Sequence, residues 1–435
     1  MGNRYVNKEK NYLDKKGVYN IVWKFYYDEA FHDRKITVKE DSINIYKKDS
    51  SDIYVGFFCG YKDTKESAVW EKYASFEEKY KKIYTISEDK ELKGTTIKKK
   101  NYKNGFSSFA DNTICFYSDF FEIFDDSEIV FHISMFSKTE LIVGEFMKNI
   151  IFDNKFSFHR DAFLYSLIKF LYSYRNQELL KKMMHIKTQK DANEVLNYLK
   201  DMIQNVIDES SESKKKEKER KALNDVLFIL NNSFVYEFKQ PQLSWRYKPI
   251  FTGFNKLLYE RKINQLDVDL LIDKENNTIQ AARANGNYQR CNEGESHECI
   301  GLRISDILAH FFGELVVALE YELKEIEIKS EEDLKKLDYS TKKLLSPKWF
   351  KVSQEQFLLW RNIEMIFYKY QLYEWTGYDG VFCDSPSLVF ALLEYIFQYN
   401  TYEEFMDIKA ELHSEYFNTH CCNKLADIYK RGGSR

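Results

Sequence analysis

Residues 21–31 read IVWKFYYDEAF, a run of β-branched and aromatic side chains that closes on two adjacent acids, Asp28 and Glu29. Ile21, Val22, Trp23, Phe25, Tyr26 and Tyr27 are the residue types that suit a buried or half-buried strand. Side chains alternate between the two faces of a strand, so only one of the two carboxylates serves a given face. A carboxylate at the end of a buried strand is costly unless it is paired, hydrogen-bonded or bound to a metal. The stretch therefore predicts an interior strand whose acids need partners from elsewhere in the chain.

Composition allows such a core. The chain has 435 residues, 44% hydrophobic and 31% charged, enough for two or three domains or one elaborated domain. A net charge of −3 argues against a wholly basic nucleic-acid binder, while 65 Lys and Arg among 68 acids leave room for a local basic groove. With only 4 prolines and 16 glycines the chain favours long helices. Residues 1–16 are polar and carry no apolar signal, and Val6 stands where a myristoylation signal needs Ser or Thr. No run of about 18 uncharged apolar residues occurs, so no membrane span is expected. Seven scattered cysteines read as reduced thiols of a cytoplasmic protein, and residues 432–435 as a flexible tail.

Further elements follow in order. Residues 35–46 suggest one or two strands, 52–61 a strongly apolar strand, 66–84 a helix and 128–136 another strand. Residues 156–184 and 191–207 read as amphipathic helices. The charged stretch 208–221 reads as a solvated linker or exposed helix, with a phosphate-contacting loop as the alternative. A helix at 245–262, a short strand at 266–273, a polar loop at 285–298 and a long apolar helix at 301–323 come next. From Ser330 onward the chain reads as helical, with helices at 354–375, 387–399, 402–414 and 423–430. Trp360, Phe367, Tyr368, Tyr370, Tyr373 and Trp375 suit core packing better than base stacking. Cys291, His297 and Cys299, and His420 with Cys421 and Cys422, lack the spacing of a zinc site, and no P-loop or dinucleotide fingerprint is present.

Four acids stand out by context. Asp28 ends the first strand, Glu91 opens ELKG after the first helix, Asp273 ends the late strand, and Asp306 interrupts the apolar helix, where Arg303 at i−3 offers a partner. Strand ends meet at one edge of a sheet, and a helix packed there would add the fourth acid. Such a cluster needs cations, and Mg²⁺ or Mn²⁺ prefers carboxylate oxygens. Two such ions would clamp the attacking and leaving oxygens of a phosphodiester. Lys93 would steady the phosphate, and Glu29 and Glu275 are reserve ligands.

The order DEA (28–30), ELKG (91–94), LIDKE (271–275) and GLRISD (301–306) is similar to that of a widespread bacterial family of unknown function with a predicted ribonuclease-H-like fold. The resemblance spans residues 21–323 with a large helical insertion. It departs at Ala30, where the family usually has Ser, and at Arg303 and Ser305 in the last motif. It implies an α/β fold with a mixed sheet, a helical insertion and a helical C-terminal region. The core halves would be residues 1–150 and 263–328, the insertion 151–262 and the C-terminal region 329–435. It also implies a metal-dependent nuclease centre of Asp28, Glu91, Asp273 and Asp306, with Lys93 and Arg303 toward a nucleic-acid substrate, DNA or RNA, and a role in bacterial defence. The rival expectation is a non-catalytic scaffold that engages a protein or nucleic-acid partner, or a second copy of itself.

Overall fold

Six strands form one mixed sheet: β1 (Trp23–Ala30), β2 (Ile53–Lys62), β3 (Val130–Ser137), β4 (Val268–Asp273), β5 (Arg290–Gly294) and β6 (Gly377–Asp379). The computed structural model describes residues 21–432 apart from 48–49, 125–127, 154, 156, 237, 324–326, 340–341 and 372–373, and leaves out the side chains of 368–371, 374 and 429–432. The polar N-terminus, Tyr373 and the end of the GGSR tail lie outside the described residues.

The sheet order is β5-β4-β1-β2-β3-β6. β1, β2 and β3 pair antiparallel in sequence order, with Tyr27 opposite Phe58 and Phe57 opposite Ile133. β4 then returns to the free side of β1 and runs parallel to it, pairing Trp23 with Val268 and Tyr27 with Ile272. β5 is parallel to β4, and β6 is parallel to β3 at the opposite edge. The protein is thus α/β with a mixed sheet, as the strand and helix patterns lead one to expect.

Period-two alternation assigns the faces. Tyr26, Val55, Phe57, Cys59, Phe131 and Ile133 turn to a helical layer formed by α1 (Glu66–Ile83), the helices Asp111–Glu122 and Gln354–Gln371, and the long α3 (Ile300–Leu323). Phe25, Tyr27, Tyr54 and Phe58 turn the other way, onto α2 (Lys248–Glu260) and the helix Asn276–Asn285. Trp360 and Phe367 are fully buried in the first layer, which removes them as base-stacking surfaces.

The insertion has its own core, in which Leu167, Leu171, Leu180, Leu199, Ile203 and Leu230 pack together with Ile142 and Phe146 from outside it. Its expected boundaries of 151–262 shift accordingly, because α2 belongs to the sheet. The charged stretch enters a helix at Glu217–Asn231 after a turn at Lys214–Lys216.

Several expectations are corrected. The 285–298 loop contains β5, whose sequence RCNEG carries almost no strand preference and is held by backbone pairing to β4 at an edge. The C-terminal region is not wholly helical, because Gly377–Asp379 joins the sheet as β6. The helix expected at 156–184 breaks at Asn176, whose side chain accepts from Leu179 N at 2.8 Å and caps the second half. The helices expected at 402–414 and 423–430 are instead Tyr402–Met406 and Ala410–Gly432. The helices Asp111–Glu122, Lys138–Met147 and Asn276–Asn285 were not anticipated.

The sheet and α2 are held together by face-to-face stacking of Phe58 on Phe254, with centroids 4.1 Å apart and planes 4° from parallel. Phe254→Ala is expected to cost about 3–5 kcal/mol in urea unfolding. A loss below about 1 kcal/mol would contradict this packing.

Candidate active site

β1 and β4 run in the same direction, and their last paired residues are Tyr27 and Ile272. The next residue of each strand is an acid, Asp28 and Asp273, so the two emerge side by side at the carboxyl ends of parallel neighbours. This is the edge at which open α/β sheets present their sites.

The third acid is set by how closely α3 approaches β1. A Cβ on Gly301 would stand 2.4 Å from the Tyr26 ring, so only glycine lets the helix lie this near the strand. One turn further on, the Ser305 hydroxyl donates to the Tyr26 carbonyl at 3.0 Å. Asp306 follows directly. Its Oδ2 accepts from Gly94 N at 2.7 Å, which ties the ELKG loop to the helix. A Cβ at Gly94 would lie 2.4 Å from His310 Cβ, so the glycine of that motif is what allows the loop to dock.

Arg303 does not supply Asp306 with its partner. It turns to Glu77 of α1 at 3.3 Å and lies over the Tyr73 ring at 5.6 Å. Glu77 also accepts from Leu92 N at 3.1 Å, so the pair holds the ELKG loop from behind. Arg303 is thereby engaged in positioning that loop. Glu91 in turn meets Lys93 at 2.6 Å, while its Oε2 is buried without a partner.

The four acids feel one another. Burial pushes the Asp28 carboxyl well above the usual range, and the charges of Asp306 and Asp273 raise it further. Asp306 is pushed up to about 6, first by burial and then by Glu91 and Asp273, against the lowering influence of the Gly94 N–H and Lys93. Asp273 is raised by burial, with Lys93 opposing and Glu91 adding to the rise. Burial also raises Glu91, but Lys93 and Ser296 more than offset it and hold this acid low. Lys93 is raised mainly by its bond to Glu91, and also by Asp306 and Asp273. It is the nearby cation that these acids share.

Glu29 faces away from the cluster, as strand alternation requires. It accepts from Tyr27 OH at 2.9 Å and from Tyr54 OH, and His32 Nδ1 stands 3.8 Å away. Glu275 pairs with Arg34 at 2.5 Å. A cavity of about 70 Å³ touches Asp28, Glu29, Asp273 and Glu275, so the two reserve acids sit beside the cluster on its other side.

A larger cleft of about 790 Å³ opens next to Glu91 and Lys93 and adds Lys90, Lys98, Thr96 and His297. Sequence reasoning passed over Lys90 and weighed His297 only as a zinc ligand, and only the local density of lysines after the first helix points to this cleft. Among the described residues, no three carboxylate, imidazole or thiol side chains form a ready-made cage for a metal ion, and this includes the two Cys–His groups. The donor chemistry nevertheless suits a hard divalent ion, since Asp28, Asp273, Asp306 and the orphaned Glu91 oxygen are all carboxylate.

In metal-free buffer Asp306→Asn is expected to stabilise the protein by about 1–2 kcal/mol at pH 7–8, less than full burial would give. A carboxyl raised to about 6 in the fold destabilises it above that pH. The gain should therefore shrink as pH falls through 6 and vanish only below about 3.8, where the acid is protonated folded and unfolded alike. Thermal melts across this range check it, and a pH-independent difference would contradict it. Compared with models of known families, with curated proteins and with solved structures, the chain matches none, so the reading of the site stands on its own residues.

Proposed function

We propose that this protein is a Mg²⁺- or Mn²⁺-dependent nuclease built on a ribonuclease-H-like core. The observation that carries the reading is the convergence of Asp28, Asp273 and Asp306, from two parallel strands and the helix laid across them, into one mutually repelling group with Glu91 beside it. Three consecutive antiparallel strands, followed on the free side of the first by two parallel ones, is the order expected of such a core and supports it.

Asp28, Asp273 and Asp306 would hold the metal, with Glu91 completing the set. When bound, the metal supplies an activated water and neutralises charge on the scissile phosphate. The remaining chemistry belongs to the chain. Lys93, which pairs with Glu91 here, would be free to bond a substrate phosphate if Glu91 served as a metal ligand, one charge-assisted bond taking the place of another. Lys90 and Lys98 line the adjoining cleft and attract a phosphodiester backbone. Arg303 keeps the ELKG loop in place through Glu77. A bacterial-defence role is the family analogy's contribution to the proposal.

A second reading has its own observation. Lys93 already neutralises Glu91, and the acids form no closed cage, which suits a core retained as a scaffold for binding a partner. Titration of Mn²⁺ into the wild type and into Asp28→Asn and Asp306→Asn, followed by cleavage of labelled single- and double-stranded DNA and RNA, separates the two. The nuclease reading expects saturable Mn²⁺ binding and cleavage, with a loss of about 100-fold or more in either variant while both remain folded. Full activity in both variants, or nucleic-acid binding with no metal-dependent cleavage of any substrate, would overturn it. Lys98→Ala is expected to weaken nucleic-acid binding at low salt and to lower the slope of log affinity against log salt by about 1.

A further inference from the structure

A different part of the molecule buries an arginine whose Nε has no hydrogen-bond partner among the described residues. Arg175 sits in the break between the helices Arg160–Ser173 and Gln177–Met184 and is only 8% exposed. Its guanidinium lies between two tyrosine rings, 4.3 Å from the centroid of Tyr46 and 5.3 Å from that of Tyr172. Among the described residues it makes no ion pair and donates no side-chain hydrogen bond, and its Nε is fully buried without a partner. A guanidinium carries five donors in a fixed fork, and a buried donor left unmade costs about 1–3 kcal/mol, more when charged.

Two acids, the buried Asp52 and the partly buried Glu320, stand near enough to act on Arg175 through space, but both are already hydrogen-bonded elsewhere. Asp52 accepts from Ser137 Oγ at 2.6 Å, from Thr139 N at 2.9 Å and from Thr139 Oγ1 at 2.7 Å. Glu320 accepts from Ser51 Oγ at 3.0 Å and from Tyr172 OH at 2.5 Å. The acids therefore lower the cost of burying the arginine without engaging its donors.

The arginine lines a cavity of about 300 Å³ between the insertion, the C-terminal end of α3 and the start of α4 (Asp384–Tyr395). This volume is at the lower end of the range for small-molecule sites. Its walls are of two kinds. Leu319, Leu323, Phe382 and Leu388 make an apolar side. Lys169 and Lys343 join Arg175 on the charged side, where Asp384 is paired with Lys169 at 2.9 Å. Asp384 is thus taken up by Lys169, which leaves the Arg175 guanidinium as the group without a direct hydrogen-bond partner on this wall, among the described residues.

We infer that this cavity binds a small organic anion whose single oxyanion head bonds Arg175 and whose apolar body lies against Leu319, Phe382 and Leu388. The site is independent of the nuclease reading. Glu320 stands fourteen residues beyond Asp306 on the same helix, about 21 Å along its axis, so the two sites do not overlap.

Calorimetric titration of the full chain with phenylacetate, phenyl phosphate, inorganic phosphate and benzyl alcohol tests it. Phenylacetate or phenyl phosphate is expected to bind saturably at one site, and which of them binds tighter identifies the head as carboxylate or phosphate. Benzyl alcohol and inorganic phosphate, each offering one half of the ligand, should bind at least about tenfold more weakly. Arg175→Met should weaken the aromatic anion at least about tenfold. Leu388→Trp, which fills the cavity and leaves Arg175 intact, should abolish binding and decides the matter if the Arg175 variant fails to fold. Absence of saturable binding by both aromatic anions would overturn the assignment. So would equal binding of benzyl alcohol, or binding unchanged in Leu388→Trp.

Discussion

The close approach of α3 to β1 is the contact on which the rest of the structure depends. Gly301 brings the helix down onto the Tyr26 ring, and Ser305 fastens it to the Tyr26 carbonyl. These two contacts fix the height and rotation of Asp306 above the strand ends. From that position the helix holds the ELKG loop by one hydrogen bond and carries a continuous apolar face, Leu302 through Leu319, into the main core. A larger residue at 301 would lift the helix, and the acids would separate before any of them was mutated.

The acid corner is stable because its charge is partly balanced from inside the protein. Lys93 bonds Glu91 and lowers the repulsion felt by Asp273 and Asp306, while the Gly94 N–H adds a fixed dipole. Protonation of Asp28 and Asp306 removes more of the repulsion, which is why burial and neighbouring charges push both carboxyls upward. Binding of a divalent ion would act in the opposite sense, favouring the ionised acids and competing with Lys93. Occupancy of the site and the protonation of its acids are therefore linked.

Much of this was legible in the chain. Residues 23–30 are strand because their side chains suit no other buried environment, and alternation alone put Asp28 and Glu29 on opposite faces. Asp306 was conspicuous because a carboxylate among Ile304, Ile307 and Leu308 needs a partner. The partner itself was not legible, because Gly94 is 212 residues away and contributes only a backbone N–H. β5 and β6 were hidden for a related reason. RCNEG and GYD pair through main chain at sheet edges, where side-chain pattern carries no signal. Arg175 was equally silent, since an arginine before a helix cap looks like any surface residue until the cavity around it is seen.

The order of the strands also has a consequence for how the protein is made. β1, β2 and β3 lie within the first 137 residues and can pair as soon as they leave the ribosome. β4 belongs on the still-open side of β1 but arrives only after residue 268, beyond the whole insertion. At about 5–20 residues per second, Asp28 therefore waits roughly 12–50 s for Asp273. Through that interval the nascent chain has an unpaired strand edge that invites chaperone binding, and no assembled acid cluster. Any chemistry of the site is thus withheld until synthesis has passed Asp306, with the order of events set by topology alone.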